Sequence, residues 1–139
     1  MSGTNGQSQQ PTILIVDDQC VMRALLRSFV QSAFPDCAIL EAANGARAMQ
    51  MCTESSPRLV LMDISLPDAN GIELTASIRS EMPETAVIVV SILDGRIYIE
   101  RALAAGANAF VNKDHLLADL VPAMASALGI TPVSASRQP

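Results

Sequence analysis

The sequence predicts an α/β fold, a doubly wound five-stranded parallel sheet with five helices on its two faces. Short apolar segments alternate strictly with segments of helical periodicity, giving five strands and five helices. Most of the apolar segments are hydrophobic throughout, which is typical of strands buried on both faces of a parallel sheet. Such alternation predicts right-handed crossovers and a functional crevice beyond the carboxyl ends of the strands.

Length and composition support a single globular domain and exclude several classes of protein. The 139 residues suit one domain of ordinary size, and a hydrophobic fraction of 50% excludes a disordered or fibrous chain. The net charge of −5 argues against direct nucleic-acid binding by this chain. Neither a signal peptide nor an apolar stretch near the roughly 18 residues of a membrane span is visible, so we expect a cytoplasmic protein.

Along the chain, polar ends flank the periodic region. We expect a flexible leader over residues 1–11, a domain over residues 12–128, and a flexible tail or linker over residues 129–139. Three cysteines without C-x-x-C spacing indicate free thiols in a reducing compartment. In chain order, the predicted strands are Ile13–Val16, Ala38–Glu41, Leu59–Met62, Ala86–Val90 and Ala109–Val111.

The first and last predicted helices have the clearest apolar stripes, and two others have weaker ones, over residues 72–78 and 99–103. Asn44-Gly45 and Asp94-Gly95 are predicted turns that lead into helices. The first stripe comprises Met22, Leu25, Leu26, Phe29 and Val30, and the last comprises Leu117, Leu120, Val121, Met124 and Leu128.

Four of the five predicted strands deliver a charged or hydroxyl side chain to the same edge of the sheet. Asp17-Asp18 end the first strand, Asp63 the third and Ser91 the fourth, and Lys113, the only lysine, follows the fifth. Converging carboxylates repel one another and need a cation, and an all-oxygen site suits Mg²⁺. An isolated Asp pair would be a helix N-cap. Together with Asp63 and Lys113, however, the pair indicates a functional site. Glu41, which ends the second strand, is set aside because that strand is expected at the sheet edge.

These residues resemble the receiver domain of response regulators of the CheY type, over about residues 12–128. The run from Asp63 to Gly71 has the family's D-x-x-x-P-x-x-x-G spacing, with Pro67 in place. The resemblance implies a flavodoxin/CheY-like sheet of order 2-1-3-4-5. Where many members have Lys-Pro, this chain has N-K-D, which is similar to receivers of the NarL/LuxR type.

The resemblance also implies a role for each site residue. Asp63 would be the phosphoacceptor, and Lys113 would pair with Asp63 and then with the phosphoryl oxygens. Mg²⁺ would be held by Asp18 and Asp63, by the backbone carbonyl of Ser65, and through water by Asp17. Ser91 would donate to a phosphoryl oxygen and move inward, with Phe110 as the coupled aromatic. The alternatives are local backbone bonding for Ser91 and plain core packing for Phe110.

As partners, the resemblance implies a sensor histidine kinase or histidine phosphotransfer protein, and an output partner at the face of helix 4, strand 5 and helix 5. Helix 4 carries either a partner surface or an ordinary mixed surface, formed by Arg96, Ile97, Tyr98 and Arg101. The chain would be a switch and not an enzyme, beyond self-phosphorylation from small phosphodonors and slow autodephosphorylation. It would bind neither nucleic acid nor a membrane, and homodimerisation stays open.

Two substitutions near the site predict a long-lived phosphorylated state. Ile92 stands where small residues are usual and would narrow access, and Leu93 stands where a polar side chain would orient the attacking water. His115, the only histidine, is expected to be a surface residue at the start of the last helix.

Two other functions remain as alternatives. The chain would be the receiver fragment of a helix-turn-helix transcription factor if the tail from Gly129 is a linker. A phosphatase of the haloacid dehalogenase kind would also use an aspartate nucleophile, a lysine and Mg²⁺. That family, however, has D-x-D on its first strand, where this chain has adjacent aspartates.

Overall fold

The sheet consists of five parallel strands in the order β2-β1-β3-β4-β5. The computed structural model describes residues 10–93 and 95–133. Strand pairs are in direct register, as in Val16 beside Met62, so the carboxyl ends of neighbouring strands are level. The strands are β1 Thr12–Val16, β2 Ala38–Ala42, β3 Leu59–Met62, β4 Ala86–Ser91 and β5 Ala109–Asn112.

A helix follows each strand. The helices are α1 Cys20–Ala33, α2 Gly45–Ser55, α3 Gly71–Glu81, α4 Arg96–Ala104 and α5 Leu116–Leu128, and a 3₁₀ turn, Lys113–His115, precedes α5. The side chain of Asn44 caps α2 by accepting a hydrogen bond from the backbone N–H of Arg47, and Asn70 caps α3 in the same manner.

The two faces of the sheet bury different sets of side chains. Alternate residues of the strands, such as Ile13 and Ile15, pack with α1 and α5. Their neighbours, Leu14 and Val16, pack with α2 and α3, and a smaller cluster around Val89 includes α4. Each such aliphatic side chain contributes roughly 1.5–3 kcal/mol on burial. The sheet is therefore a rigid frame whose carboxyl edge projects the following residues.

The predicted fold class is confirmed, including the strand order and the five alternating helices. The strands extend at most one residue beyond their predicted ends, with β4 running on to Ser91. Asn44-Gly45 begins a helix as predicted. Gly95 caps α4, whereas Asp94 lies outside the described residues.

The predicted leader and tail fall largely outside the described residues, which exclude 1–9 and 134–139. The domain boundaries at 12 and 128 stay predictions. Gly129 ends α5 in the left-handed conformation with φ 68°, and Val133 donates a backbone hydrogen bond to Ala33 at 2.8 Å. No helix in the described part of the chain has the length and apolarity needed to cross a membrane.

Candidate functional site

Polar side chains from four strands meet at the carboxyl edge of the sheet. Asp17 follows β1 and Asp63 follows β3, and the backbone N–H of Asp63 donates to the carbonyl of Val16 at 3.0 Å. This bond continues the ladder between the two strands and brings both aspartates to the same level. Ser91 is the last residue of β4, and Lys113 comes directly after β5.

Three carboxylates form a cluster that is suited to a cation. Asp17, Asp18 and Asp63 each offer one oxygen, and these oxygens lie within 4.8 Å of one another. Asp17 is 1% exposed and Asp63 is 5% exposed, whereas Asp18 lies open to solvent. Acids this close and this buried repel one another, so a cation must compensate them. The structure confirms that the predicted acids converge.

Lys113 supplies one positive charge to this cluster. Its Nζ lies 2.8 Å from Oδ2 of Asp17 and 3.5 Å from Oδ2 of Asp63. The shorter contact is an ion pair by distance, but Oδ2 of Asp17 has no well-directed hydrogen-bond donor among the described residues. A buried carboxylate oxygen with unused acceptor capacity fits a divalent ion, since hard cations take carboxylate oxygens and water. The residues present therefore suit Mg²⁺.

The environment of Asp63 favours its neutral form more than water does. Burial is the largest effect and raises the pKa of the carboxyl above its ordinary value. The charge of Lys113 lowers this pKa, the charge of Asp17 raises it, and the backbone N–H of Ser65 lowers it by bonding the carboxylate. A second cation at this site would favour the charged form, which is the nucleophilic one.

An open cavity of about 310 Å³ gives access to Asp63. A single water needs only about 10–15 Å³ of such volume, so this cavity is many times larger than one water molecule. That is room for a phosphoryl group and a hydrated ion. The cavity is lined by Asp18, Gln19, Met22, Asp63, Ser65, Ile92 and Lys113. Ile92 is 64% exposed and stands at the mouth, where the sequence predicts that it narrows access.

The loop after β3 is held tightly at two points. Asp68 accepts hydrogen bonds from the backbone N–H groups of Gly45 and Ala46, at 2.7 and 3.0 Å, and so caps α2. At the other end, a Cβ atom on Gly71 would overlap the backbone carbonyl of Asp63. Only glycine permits this approach, so the D-x-x-x-P-x-x-x-G spacing has a steric cause in its last position.

Ser91 and Phe110 lie beside the site on the β4–β5 side. Ser91 is 1% exposed, and its hydroxyl accepts a hydrogen bond from the backbone N–H of Leu93 at 3.0 Å. Phe110 pairs with Val89 in the sheet register and packs into the cluster that includes Leu93 and Tyr98. Ser91 thus makes a local backbone bond, and Phe110 packs in the core. The switch roles predicted for these two residues stay predictions.

The exposed part of α4 has the mixed character that its sequence predicts. Arg96, Ile97 and Arg101 are exposed, and Ile97 is 50% exposed, while Tyr98 is half-buried. His115 is exposed and is the residue directly before α5, as expected.

Sequence reasoning missed the support behind Asp17. Arg23 donates from Nη1 to the backbone carbonyl of Asp17 at 2.8 Å and from Nε to Glu41 at 2.9 Å. Glu41 belongs to β2, which is the edge strand of the sheet as predicted. The available signal was an arginine within the first helix together with an acid at a neighbouring strand end.

Comparisons with known proteins identify relatives across most of the chain. The profile of the response regulator receiver domain matches residues 13–125. The chain is 36% identical over 102 residues to the transcriptional regulatory protein YhcZ of Bacillus subtilis, covering 73% of this chain and 48% of that protein. It is 36% identical over 101 residues to the chemotaxis protein CheY of Thermotoga maritima, covering 73% and 83%.

Solved structures give the same result. A two-component response regulator of the LuxR family from Aurantimonas sp. SI85-9A1 has a TM-score of 0.79 at 30% identity, covering 92% of each chain. The chain spans about half the length of several curated relatives it matches, with 48%, 56% and 46% of three of them covered.

Proposed function

The chain belongs to the response regulator receiver domain family, and on that basis we propose that Asp63 accepts a phosphoryl group from a phosphohistidine donor. The family is a phosphoacceptor switch of two-component systems and not an enzyme class. This membership sets aside the dehalogenase-type phosphatase. The observation that carries the proposal is the position of Asp63, which lines an open cavity beside a second buried acid and the ammonium of Lys113.

In the proposed transfer, an Asp63 carboxylate oxygen forms a bond to phosphorus while the phosphorus–nitrogen bond of the donor histidine breaks. The imidazole nitrogen keeps the electron pair and takes up a proton, and Asp63 becomes an acyl phosphate. Little covalent chemistry is needed from the protein beyond in-line positioning and charge neutralisation. Lys113 neutralises part of the charge on the phosphoryl oxygens from its place between Asp17 and Asp63.

The proposed Mg²⁺ ligands are Asp18, Asp63, the backbone carbonyl of Ser65 and, through water, Asp17. When bound there, Mg²⁺ neutralises charge on the transferring oxygens and orients the donor. The support for this ligand set is the three-carboxylate cluster and the unused acceptor capacity of Oδ2 of Asp17. Receiver domains as a family bind Mg²⁺ at such an acidic cluster.

The response to phosphorylation would pass through Ser91 and Phe110. The Ser91 hydroxyl would exchange its bond with the Leu93 N–H for one to a phosphoryl oxygen, and Phe110 would fill the space that Ser91 leaves. Through these two movements, the new negative charge on Asp63 would change the conformation of the face formed by α4, β5 and α5. We propose that an output partner binds at this face.

Receiver domains interact with histidine kinases and with output domains. For this chain we propose a sensor histidine kinase or histidine phosphotransfer protein as donor, a cytoplasmic location and a receiver domain over residues 12–128. Self-phosphorylation from small phosphodonors and slow autodephosphorylation belong to the same proposal. The net charge of −5 argues against direct binding of nucleic acid by this chain, so we propose that the output partner is not nucleic acid.

A second candidate is the receiver part of a longer transcription regulator. It is favoured by relatives that are named as transcriptional regulatory proteins and are about twice the matched length. The reading frame in its genome and the mass of the native protein distinguish this candidate from a stand-alone receiver.

Intact-mass spectrometry after treatment with acetyl phosphate and Mg²⁺ tests the proposed acceptor. We expect one phosphoryl adduct on the wild type, none on Asp63→Asn, and none on the wild type with excess EDTA. Asp36→Asn, at an exposed aspartate before β2, is the matched control and should be labelled like the wild type. Equal labelling of Asp63→Asn and the wild type would overturn the assignment.

A further inference from the structure

Arg23 connects the second strand to the acidic cluster. Its Nε donates to Oε1 of Glu41 at 2.9 Å, and its Nη1 donates to the backbone carbonyl of Asp17 at 2.8 Å. The side chain of Arg23 is 18% exposed and that of Glu41 is 29% exposed, so solvent screens this pair only in part. A planar guanidinium presents its donors to two acceptors in a rigid fork, whereas the donors of an ammonium rotate on a flexible stem.

Arg27 shares the same carboxylate but does not extend to the acids. Its Nε donates to Oε2 of Glu41 at 2.7 Å, and its Nη2 lies 3.4 Å from the carbonyl of Ile39, a long contact. The two arginines are one helical turn apart on α1, and each takes one oxygen of Glu41. They therefore differ in one respect that matters here, since only Arg23 bonds the Asp17 backbone.

The carbonyl that Arg23 holds belongs to the peptide unit between Asp17 and Asp18. A peptide unit is planar, so fixing its carbonyl direction also fixes the direction in which the chain leaves toward Asp18. The N–H of Asp17 is held separately by the carbonyl of Ala42 at 3.1 Å, and its Oδ1 accepts from the N–H of Gln19 at 2.9 Å. Among the described residues, Oδ2 of Asp17 then has the ammonium of Lys113 at 2.8 Å but no well-directed hydrogen-bond donor.

We propose that Arg23, oriented by Glu41, is a positioning residue for the cation site, because it fixes the peptide unit that joins Asp17 and Asp18. This inference rests on the proposed function, in which those two acids serve Mg²⁺. Arg23 does not line the cavity that contains Asp63, and its bonds go to Glu41 and to the Asp17 backbone. Its effect is on the affinity for the metal.

Direct titration with MgCl₂ by calorimetry tests the proposal on the full chain. We expect Arg23→Gln to weaken Mg²⁺ binding by about 10- to 100-fold, the usual effect of losing a group that orients metal ligands. Arg27→Gln is the matched control, since it removes a bond to the same glutamate and leaves the Asp17 carbonyl bonded. Its Mg²⁺ affinity should stay close to that of the wild type.

Two further measurements separate positioning from general destabilisation. Thermal unfolding without metal should shift to lower temperature in both Arg23→Gln and Arg27→Gln, whereas only Arg23→Gln should lose affinity for Mg²⁺. Phosphorylation by acetyl phosphate should need more Mg²⁺ for half-maximal rate in Arg23→Gln and return near the wild-type rate at saturating Mg²⁺. If Arg23→Gln does not fold, Arg23→Lys replaces it and should also bind Mg²⁺ more weakly.

Three outcomes overturn the proposal. If Arg23→Gln or Arg23→Lys binds Mg²⁺ as tightly as a wild type that is phosphorylated normally, the positioning role is wrong and the proposed function stands. If Arg27→Gln loses as much affinity as Arg23→Gln, the effect belongs to the stability of α1. If the wild type neither binds Mg²⁺ nor accepts a phosphoryl group, the proposed function fails, and this inference fails with it.

Discussion

Lys113 lies closer to Asp17 than to Asp63. Its Nζ is 2.8 Å from the first carboxylate and 3.5 Å from the second. Asp17, the more deeply buried acid, thus lies nearer to the ammonium. Asp63, which lines the cavity, interacts with the ammonium more weakly. This arrangement leaves Asp63 available to an incoming group, while Lys113 compensates one of the three negative charges of the cluster.

Replacing Lys113 with methionine should destabilise the fold at neutral pH. The change leaves two buried acids without their cation, and breaking such a pair costs about 3 kcal/mol of unfolding free energy. We expect Mg²⁺ to restore part of this loss, because the acids then attract the ion more strongly. Urea unfolding with and without MgCl₂ measures both effects. In the double variant Asp17→Asn with Lys113→Met, the loss should be smaller than for Lys113→Met alone, and purely additive losses would contradict the pairing.

Shortening Ile92 should speed the chemistry at Asp63. Its exposed side chain stands at the cavity mouth, so Ile92→Ala should raise the rate of phosphorylation by acetyl phosphate about tenfold, or roughly 1.4 kcal/mol of barrier.

The wild-type phosphorylated state should be long-lived, and Leu93→Asn should shorten its lifetime by orienting water. Time courses of adduct decay by mass spectrometry give these rates. Fast wild-type decay that Leu93→Asn does not change would count against this view.

Gly71→Ala should be strongly destabilising, because the new methyl group would overlap the carbonyl of Asp63. Overpacking against backbone, which cannot move aside as a side chain can, should cost about 3 kcal/mol of unfolding free energy. Gly95→Ala is the control, since its nearest neighbour would be Cδ2 of Tyr98 at an ordinary 3.8 Å. That change should stay within about 1 kcal/mol, the cost of alanine at a helix N-cap. Similar losses in the two variants, measured by urea unfolding, would argue against the close approach at Gly71.

The ion pairs of Glu41 should make part of the stability pH-dependent. Hydrogen bonds from Arg27, and then from Arg23, hold the pKa of Glu41 below its usual value of 4.5. A lowered folded-state pKa gives stability that is fully present above 4.5 and is lost as the pH falls through the folded value. The difference in unfolding free energy between the wild type and Glu41→Gln should therefore be largest at neutral pH and shrink in acid.

Denaturant unfolding at a series of pH values measures this difference. Glu81→Gln, at an exposed glutamate outside the four ion pairs found among the described residues, controls for the loss of one negative charge. A Glu41→Gln difference that stays constant from neutral to strongly acidic pH would contradict the role of the two arginines.

The sequence was sufficient for the sheet and for the side chains that follow its strands. Uniformly apolar strands and the helical stripes of α1 and α5 are local patterns, and parallel strands necessarily bring their carboxyl ends to one edge. Asp17, Asp63, Ser91 and Lys113 could therefore be placed at that edge from their positions alone. The distances between them could not, since they depend on strand register and side-chain rotamers.

The support behind the site depended on contacts that no local pattern contains. Arg23 and Glu41 are 18 positions apart and meet because α1 packs against β1, the strand next to the edge strand β2. The bonds from Asp68 to Gly45 and Ala46 join segments 22 or 23 positions apart. Such pairings follow from the packing of whole elements, and in sequence Arg23, Glu41 and Asp68 have the appearance of ordinary surface charges.

The double attachment of the loop after β3 has a consequence for the direction of signalling. Asp68 bonds this loop to α2, and Gly71, at the start of α3, lies directly against the backbone of Asp63. Because these contacts hold the loop to α2 and α3, Asp63 cannot transmit a signal by changing its own position. If Asp63 is phosphorylated as proposed, the added charge would instead draw other groups toward Asp63, and the response would pass to the side of the sheet where β4 and β5 lie.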